Sequence, residues 1–213
     1  MSTYSISAEF ETALKGAWTG TLKSVYWMTA RVYNRVLVSA LGYHAHELAA
    51  DAFVRHWQRP GGAAGAVLDL GCGTGLTAEA LLERVDVQID GIDFSEAMLD
   101  RAEEKGIYRR LIEADVTRPL PVEPRSYSGA VSSGLFTHGH VGADALEPIL
   151  AALAPGAIFA FTVYSTIWTR AGFDAELAKL ERDGRIEVLD HQESGHFQRL
   201  RGQRVHVLTV RIV

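Results

Sequence analysis

Glycine stands at positions 71, 73 and 75, directly after the apolar run Val67-Leu68-Asp69-Leu70. Without Cβ atoms there, a ligand can lie against the main chain, and the chain can take the positive φ values of a tight strand-to-helix turn. Asp69 adds a fixed negative charge at the end of the strand, which would repel a diphosphate and attract an ammonium or sulfonium group. The dinucleotide pattern Gly-x-Gly-x-x-Gly would need its third glycine at position 76, which is Leu76. Two further acids follow. Asp93 closes the predicted strand Val87–Asp93, where a carboxylate can take both hydroxyls of a ribose. Asp115 stands near the end of a third predicted strand, Leu111–Val116, where a side chain can accept from an adenine amino group.

A charged tail, a ribose diol and an adenine amine together describe S-adenosylmethionine. The residues that carry this reading resemble the class I S-adenosylmethionine-dependent methyltransferases of small-molecule type. Asp69-Leu-Gly-Cys-Gly-Thr-Gly75 is similar to the family's first motif, Gly91-Ile-Asp-Phe-Ser-Glu-Ala-Met98 to its second and Glu113-Ala-Asp115 to its third. The resemblance covers roughly residues 65 to 213. It implies that the loop from Gly71 through Cys72 and Gly73 to Gly75 holds the methionyl part, with Asp69 beside it. Asp93 would take the ribose and Asp115 the adenine amine, while Phe94, Met98 and Val116 sandwich the ring. Ser133, at the end of the fourth strand, joins the cofactor set. Tyr33-Asn34 resembles the family's Tyr-Asp, whose aromatic ring approaches the methionyl end; Asn34 in place of the acid removes any charge-based role there. S-adenosylhomocysteine is the expected product.

Methyl transfer is a direct displacement, so alignment and exclusion of water matter more than a strong catalytic group. If the acceptor is a hydroxyl or protonated amine, one proton must leave, and histidine suits that near neutral pH. His138 and His140 follow the fourth strand on the edge where α/β ligands bind, and are the candidate catalytic residues. The other reading of His138 is a helix cap or a pocket wall. His196, between the last two strands, could reach the acceptor or sit in an exposed turn. His138-x-His140 and His44-Ala-His46-Glu47 lack a third ligand at usable spacing, so no metal is expected.

The elements that must position these groups alternate from about residue 63 onward in the manner of a parallel sheet covered on both faces. The expected fold is α/β, a Rossmann-like three-layer sandwich. Its sheet would be seven-stranded and mostly parallel, closed by an antiparallel hairpin of 185–191 and 205–212. Helices are predicted over 74–84, from Ser95 to Gly106, over 144–153 and over 173–182. Residues 1–62 form an N-terminal helical lid, with helices over 21–41 and 46–58 and a boundary at Arg59-Pro-Gly-Gly-Ala-Ala-Gly65; residues 63–213 form the catalytic core.

A formal charge of −5 and a pI near 5.9 argue against a nucleic-acid footprint. The single cysteine, Cys72, excludes an intrachain disulfide and suits a reducing cytosol. The most apolar long stretch, 145–163, is broken by Glu147, Pro148 and Pro155, and no secretory leader is visible. These features predict a cytoplasmic monomer or homodimer whose partner is a small-molecule methyl acceptor. Two alternatives remain: a regulatory module that binds the cofactor or its demethylated product without transfer, and a nicotinamide-dependent oxidoreductase.

Overall fold

The computed structural model describes residues 42–58, 65–137, 141–197 and 202–213. Its centre is a seven-stranded sheet in the order β3-β2-β1-β4-β5-β7-β6. In chain order the strands are β1 Val67–Leu70, β2 Ile89–Asp93, β3 Arg110–Glu113, β4 Tyr127–Phe136, β5 Leu153–Tyr164, β6 Ile186–Gly195 and β7 Arg204–Ile212. β1 to β5 pair in parallel, and β7 runs antiparallel to both β5 and β6. The terminal hairpin therefore folds back, placing the last strand inside the sheet and β6 at its edge.

Every residue of β1 and β2 is buried, as expected of parallel strands covered on both faces. Alternate residues feed two cores. Leu68, Leu70, Phe159 and Phe161 pack on one face with α4 (Leu146–Ala152) and α5 (Phe173–Arg182). Val67, Ile89, Val131 and Ala160 pack on the other with Phe53 of α1 (Ala45–His56) and Leu81 of α2 (Leu76–Leu82). α3 (Glu96–Glu103) connects β2 to β3. α1 thus belongs to one of the two helical layers. A Cβ at Gly129 would stand 2.7 Å from the Phe53 ring, so glycine lets this helix approach β4 closely.

The chain winds outward from β1 through β2 to β3 and then returns to β4 on the other side of β1. This reversal opens a crevice at the carboxyl ends of β1 and β4, the position at which doubly wound sheets bind ligands.

Several boundaries differ from those expected. α2 begins at Leu76 because Gly75, at φ +88°, is its left-handed N-cap. β3 stops at Glu113, which leaves Asp115 in the following turn. Ser95 occupies the N-cap of α3, but its side chain makes no cap bond; its N–H instead donates to Asp93 Oδ1 at 2.9 Å. Ala143–Ala145 form a 3-10 turn ahead of α4, and Pro148 fits the first turn of α4, where no N–H is needed. Residues 154–156, just past the helix expected over 144–153, lie within β5 at a register shift opposite Tyr127 and Gly129. β6 runs on to Gly195, beyond the expected end at 191. The helix predicted over 21–41 lies outside the described residues; Gly42, its expected stop, has φ +69°. No helix among the described residues is long and apolar enough to cross a membrane.

Candidate active site

The loop between β1 and α2 is shaped by its glycines. Gly71, Gly73 and Gly75 all have positive φ, at +63°, +53° and +88°. The space beside them differs. A Cβ on Gly71 would meet Leu135 Cδ1 at 2.9 Å, and one on Gly75 would meet the Tyr108 hydroxyl at 3.1 Å, whereas one on Gly73 would meet nothing within 4 Å. Gly71 and Gly75 therefore allow the protein to pack against itself, and Gly73 is the open face of the cradle. Cys72 anchors the loop by donating its N–H to Ile92 O at 2.9 Å. Its thiol is buried and is pushed up by burial and by the carboxylates of Asp69 and Asp93, so it stays protonated.

Asp69 is fully buried. Tyr108 donates its hydroxyl to Asp69 Oδ2 at 2.8 Å, while Oδ1 has no hydrogen-bond partner. Burial raises this carboxyl to about 7, opposed by the Tyr108 bond and, more weakly, by the Ala78 backbone N–H and the Lys105 charge, and reinforced by the charge of Asp93. An orphaned, buried carboxylate oxygen beside a loop open at Gly73 is a site suited to a cation.

Asp93 stitches the crevice together. Its Oδ2 accepts from Gly73 N at 2.9 Å and its Oδ1 from Ser95 N at 2.9 Å. Each oxygen keeps a further lone pair that a pair of hydroxyls could use. Burial raises this carboxyl too, against the backbone donors that lower it.

Next to Asp93, Phe94 is 63% exposed, in contrast to Met98 at 7% and Val116 at 5%. Val116 packs into one of the two cores. Asp115 accepts from Thr117 N at 2.9 Å and Thr117 Oγ1 at 2.7 Å, which closes its turn, and these bonds hold it below the usual carboxylate range. On the opposite wall β4 is irregular between Ser132 and Phe136, with Gly134 at φ +73°. Such bulges re-aim side chains, and here Ser133 Oγ reaches Thr77 Oγ1 at 2.8 Å and the Tyr43 hydroxyl at 3.3 Å. The residues present fit an S-adenosyl ligand: a buried acid with one oxygen unbonded, a loop open at Gly73, a second acid with spare lone pairs and an exposed ring.

The structure brings Asp69, the loop from Gly71 to Gly75, Asp93 and Ser133 together at one crevice. Tyr33, His138 and His140 lie outside the described residues. His44 Nδ1 contacts Gly42 O at 3.3 Å, and the His46 ring stacks on Tyr43 at 5.3 Å. Among the described residues no three or more His, Cys, Asp or Glu side chains group as metal ligands. Sequence reasoning missed Tyr108 and Tyr43. Their contacts with Asp69 and Ser133 span 39 and 90 positions, so no local spacing could reveal them.

The known proteins similar to this chain include methyltransferases. Residues 67–156 match a family model described as a methyltransferase domain. Methyltransferase-like protein 27 of Homo sapiens is 31% identical over 156 residues, which is 71% of this chain and 63% of that protein. Trans-aconitate 2-methyltransferase of Yersinia pestis (strain Pestoides F) is 36% identical over 97 residues, 44% of this chain and 36% of that enzyme. This chain therefore spans less than two thirds of either relative. The crystal structure of Burkholderia thailandensis 1,6-didemethyltoxoflavin-N1-methyltransferase superposes with a TM-score of 0.63. It covers 92% of this chain and 89% of its own, at 23% identity, a likeness of fold. Residues 67–156 of this chain match a methyltransferase domain, on a fold shared with S-adenosylmethionine-dependent methyltransferases.

Proposed function

We propose that this chain moves the methyl group of S-adenosylmethionine to a small-molecule acceptor. The observation that carries the proposal is the buried, unpartnered Oδ1 of Asp69 beside the open face at Gly73. A diphosphate would be repelled there, which disfavours the nicotinamide reading, while an ammonium or sulfonium would supply the missing partner. Asp93 would take the ribose diol, Phe94 would cover one face of the adenine, and Asp115 would meet its amine. The relative that acts on trans-aconitate and the neighbour bound to 1,6-didemethyltoxoflavin and S-adenosylhomocysteine support an acceptor of small size.

When bound, the cofactor supplies an electrophilic methyl on a cationic sulfur. This chain's residues then have three tasks. The glycine loop and Asp93 fix the donor's position, the aromatic groups around Tyr43 exclude water, and the β4 bulge sets the acceptor's side of the crevice. An acceptor that carries an acidic proton must lose it, for which His138 and His140 are the proposed bases, with Tyr33 on the methionyl side.

The test is incubation with methyl-labelled S-adenosylmethionine and a panel of phenolic, amine and carboxylate acceptors that includes trans-aconitate. Label should appear in at least one small acceptor, and S-adenosylhomocysteine should raise the melting temperature by mass action. Stabilisation by NAD with none from S-adenosylhomocysteine would sink the proposal. Stabilisation by S-adenosylhomocysteine without transfer to any acceptor would favour a binding module.

A further inference from the structure

His196 follows β6 at the same edge of the sheet as the glycine loop, and it does not sit in an exposed turn. It is 2% exposed. Its Nε2 lies 2.7 Å from the Tyr164 hydroxyl, and its ring stands edge-on to Tyr43 and Phe197 at centroid distances of 4.9 and 4.4 Å. Its Nδ1 is buried without a partner.

The direction of the Tyr164 bond follows from acidity. A phenol O–H ionises near pH 10, far more readily than a neutral imidazole N–H, so the shared proton belongs to oxygen. Tyr164 donates, Nε2 accepts, and the ring's own hydrogen is on Nδ1. His196 thus presents an N–H donor with no acceptor, a state that costs about 1–3 kcal/mol. Burial, with a smaller contribution from nearby His44, lowers the imidazole to about 3, so it is a neutral donor rather than a base near neutral pH.

This donor is one ring away from the crevice. Tyr43, whose ring it abuts, places its hydroxyl 3.3 Å from Ser133 Oγ and is close enough to Asp69 to feel its charge. We propose that His196 is a specificity-determining residue whose Nδ1–H binds a carboxylate or conjugated carbonyl oxygen of the methyl acceptor, with the acceptor's planar body against Tyr43 and Phe197. This inference rests on the methyltransferase reading and names the acceptor chemistry that the reading leaves open. The bridge between Tyr43 and Phe197 and the bond from His44 N to His196 O hold the cluster in place, and the test separates a ligand-binding donor from a clasp that binds none.

Three proteins are compared, all saturated with S-adenosylhomocysteine: wild type, H196Q and H196N. Gln keeps a polar group toward Tyr164 and has none at the Nδ1 position, whereas Asn places its amide nitrogen near Nδ1 and gives up Tyr164. Imidazole nitrogen NMR of wild type should show the Nδ1–H form of His196, unchanged between about pH 5.5 and 8. Calorimetry with trans-aconitate, cinnamate and 4-hydroxybenzoate should show binding of at least one. That affinity should fall about tenfold or more in H196Q and stay within about threefold in H196N, as a lost charge-assisted hydrogen bond predicts. An Nε2–H form, titration within that range, no binding by any of the three acids, or equal losses in both variants overturns the inference. Failure of wild type to bind S-adenosylhomocysteine would instead strike the methyltransferase reading itself.

Discussion

Asp69 makes cofactor affinity depend on pH in a calculable way. Without ligand its carboxyl sits at about 7, with Tyr108 as its side-chain hydrogen-bond donor, so at pH 7 about half the molecules hold it protonated. A sulfonium or ammonium ligand favours the ionised form and draws its titration downward. If only the ionised form binds, the dissociation constant grows tenfold for each pH unit below 7; at pH 5.5 it should be roughly 30-fold weaker than at pH 8, equivalent to about 2 kcal/mol. Binding at pH 7 should also release about half a proton. Calorimetry with S-adenosylhomocysteine, run in buffers of different ionisation enthalpy, measures both quantities. Asp69→Asn should flatten the profile. An affinity independent of pH, with no proton released at pH 7, would refute the reasoning from the orphaned oxygen.

The same group has an opposite signature in folding. Its folded value lies above the ordinary 3.8. The stability it contributes is therefore complete below about pH 4 and is lost as pH rises through 7, by up to about 4 kcal/mol without ligand. Saturating S-adenosylhomocysteine should offset much of that loss, and melting curves taken across pH with and without it check the point. Phe94→Ala should leave the melting temperature nearly unchanged, because the ring is 63% exposed, yet weaken cofactor binding by about 1–3 kcal/mol, the usual worth of base stacking on an aromatic ring; calorimetry decides. Asp90 is fully buried and accepts from Arg109, Arg110 and Tyr127. Despite the cost of burial, these bonds lower its carboxyl to about 2. Asp90→Asn should cost about 3 kcal/mol, or roughly 6–12 °C in melting temperature, without altering cofactor affinity at a temperature where the variant is folded. Gly91→Ala would set a Cβ 2.7 Å from Leu111 and 3.0 Å from Cys72 Sγ, and should lower stability by about 1–3 kcal/mol through overpacking, measured by denaturant unfolding.

The parts of this fold legible in the sequence are those governed by local rules. Glycine spacing locates the turn after β1, apolar runs locate the buried strands, and the helix expected over 173–182 matches α5. The terminal strands alternate as a half-covered antiparallel pair should, although alternation alone does not say that β7 lies between β5 and β6. Strand ends differ from expectation where a side chain competes with the ladder: Asp115 takes both donors of Thr117 into a turn, and β3 ends at Glu113. The candidate site divides in the same way. Its acids are local to strand ends, while Tyr108, Tyr43 and Tyr164 arrive from distant segments that carry no pattern of their own.

Asp93 shows why a motif acid is more than a ligand contact. Its carboxylate already ties the glycine loop to the turn after β2 through Gly73 N and Ser95 N. A substitution that removes it would therefore release Gly73, the open position of the cradle, as well as any ribose bond. Asp93→Ala should weaken S-adenosylhomocysteine by more than the roughly 1–3 kcal/mol of a lost charged acceptor and also lower the melting temperature. Asp93→Asn separates the two contributions. The amide oxygen can still accept from one of the two backbone donors, but its NH2 group faces the other and cannot accept from it. Affinity should then fall between wild type and Asp93→Ala, and amide exchange at Gly73 should speed up in step with the affinity lost. Unchanged exchange at Gly73 together with a full loss of affinity would assign Asp93 to the ligand alone and remove its role in shaping the loop.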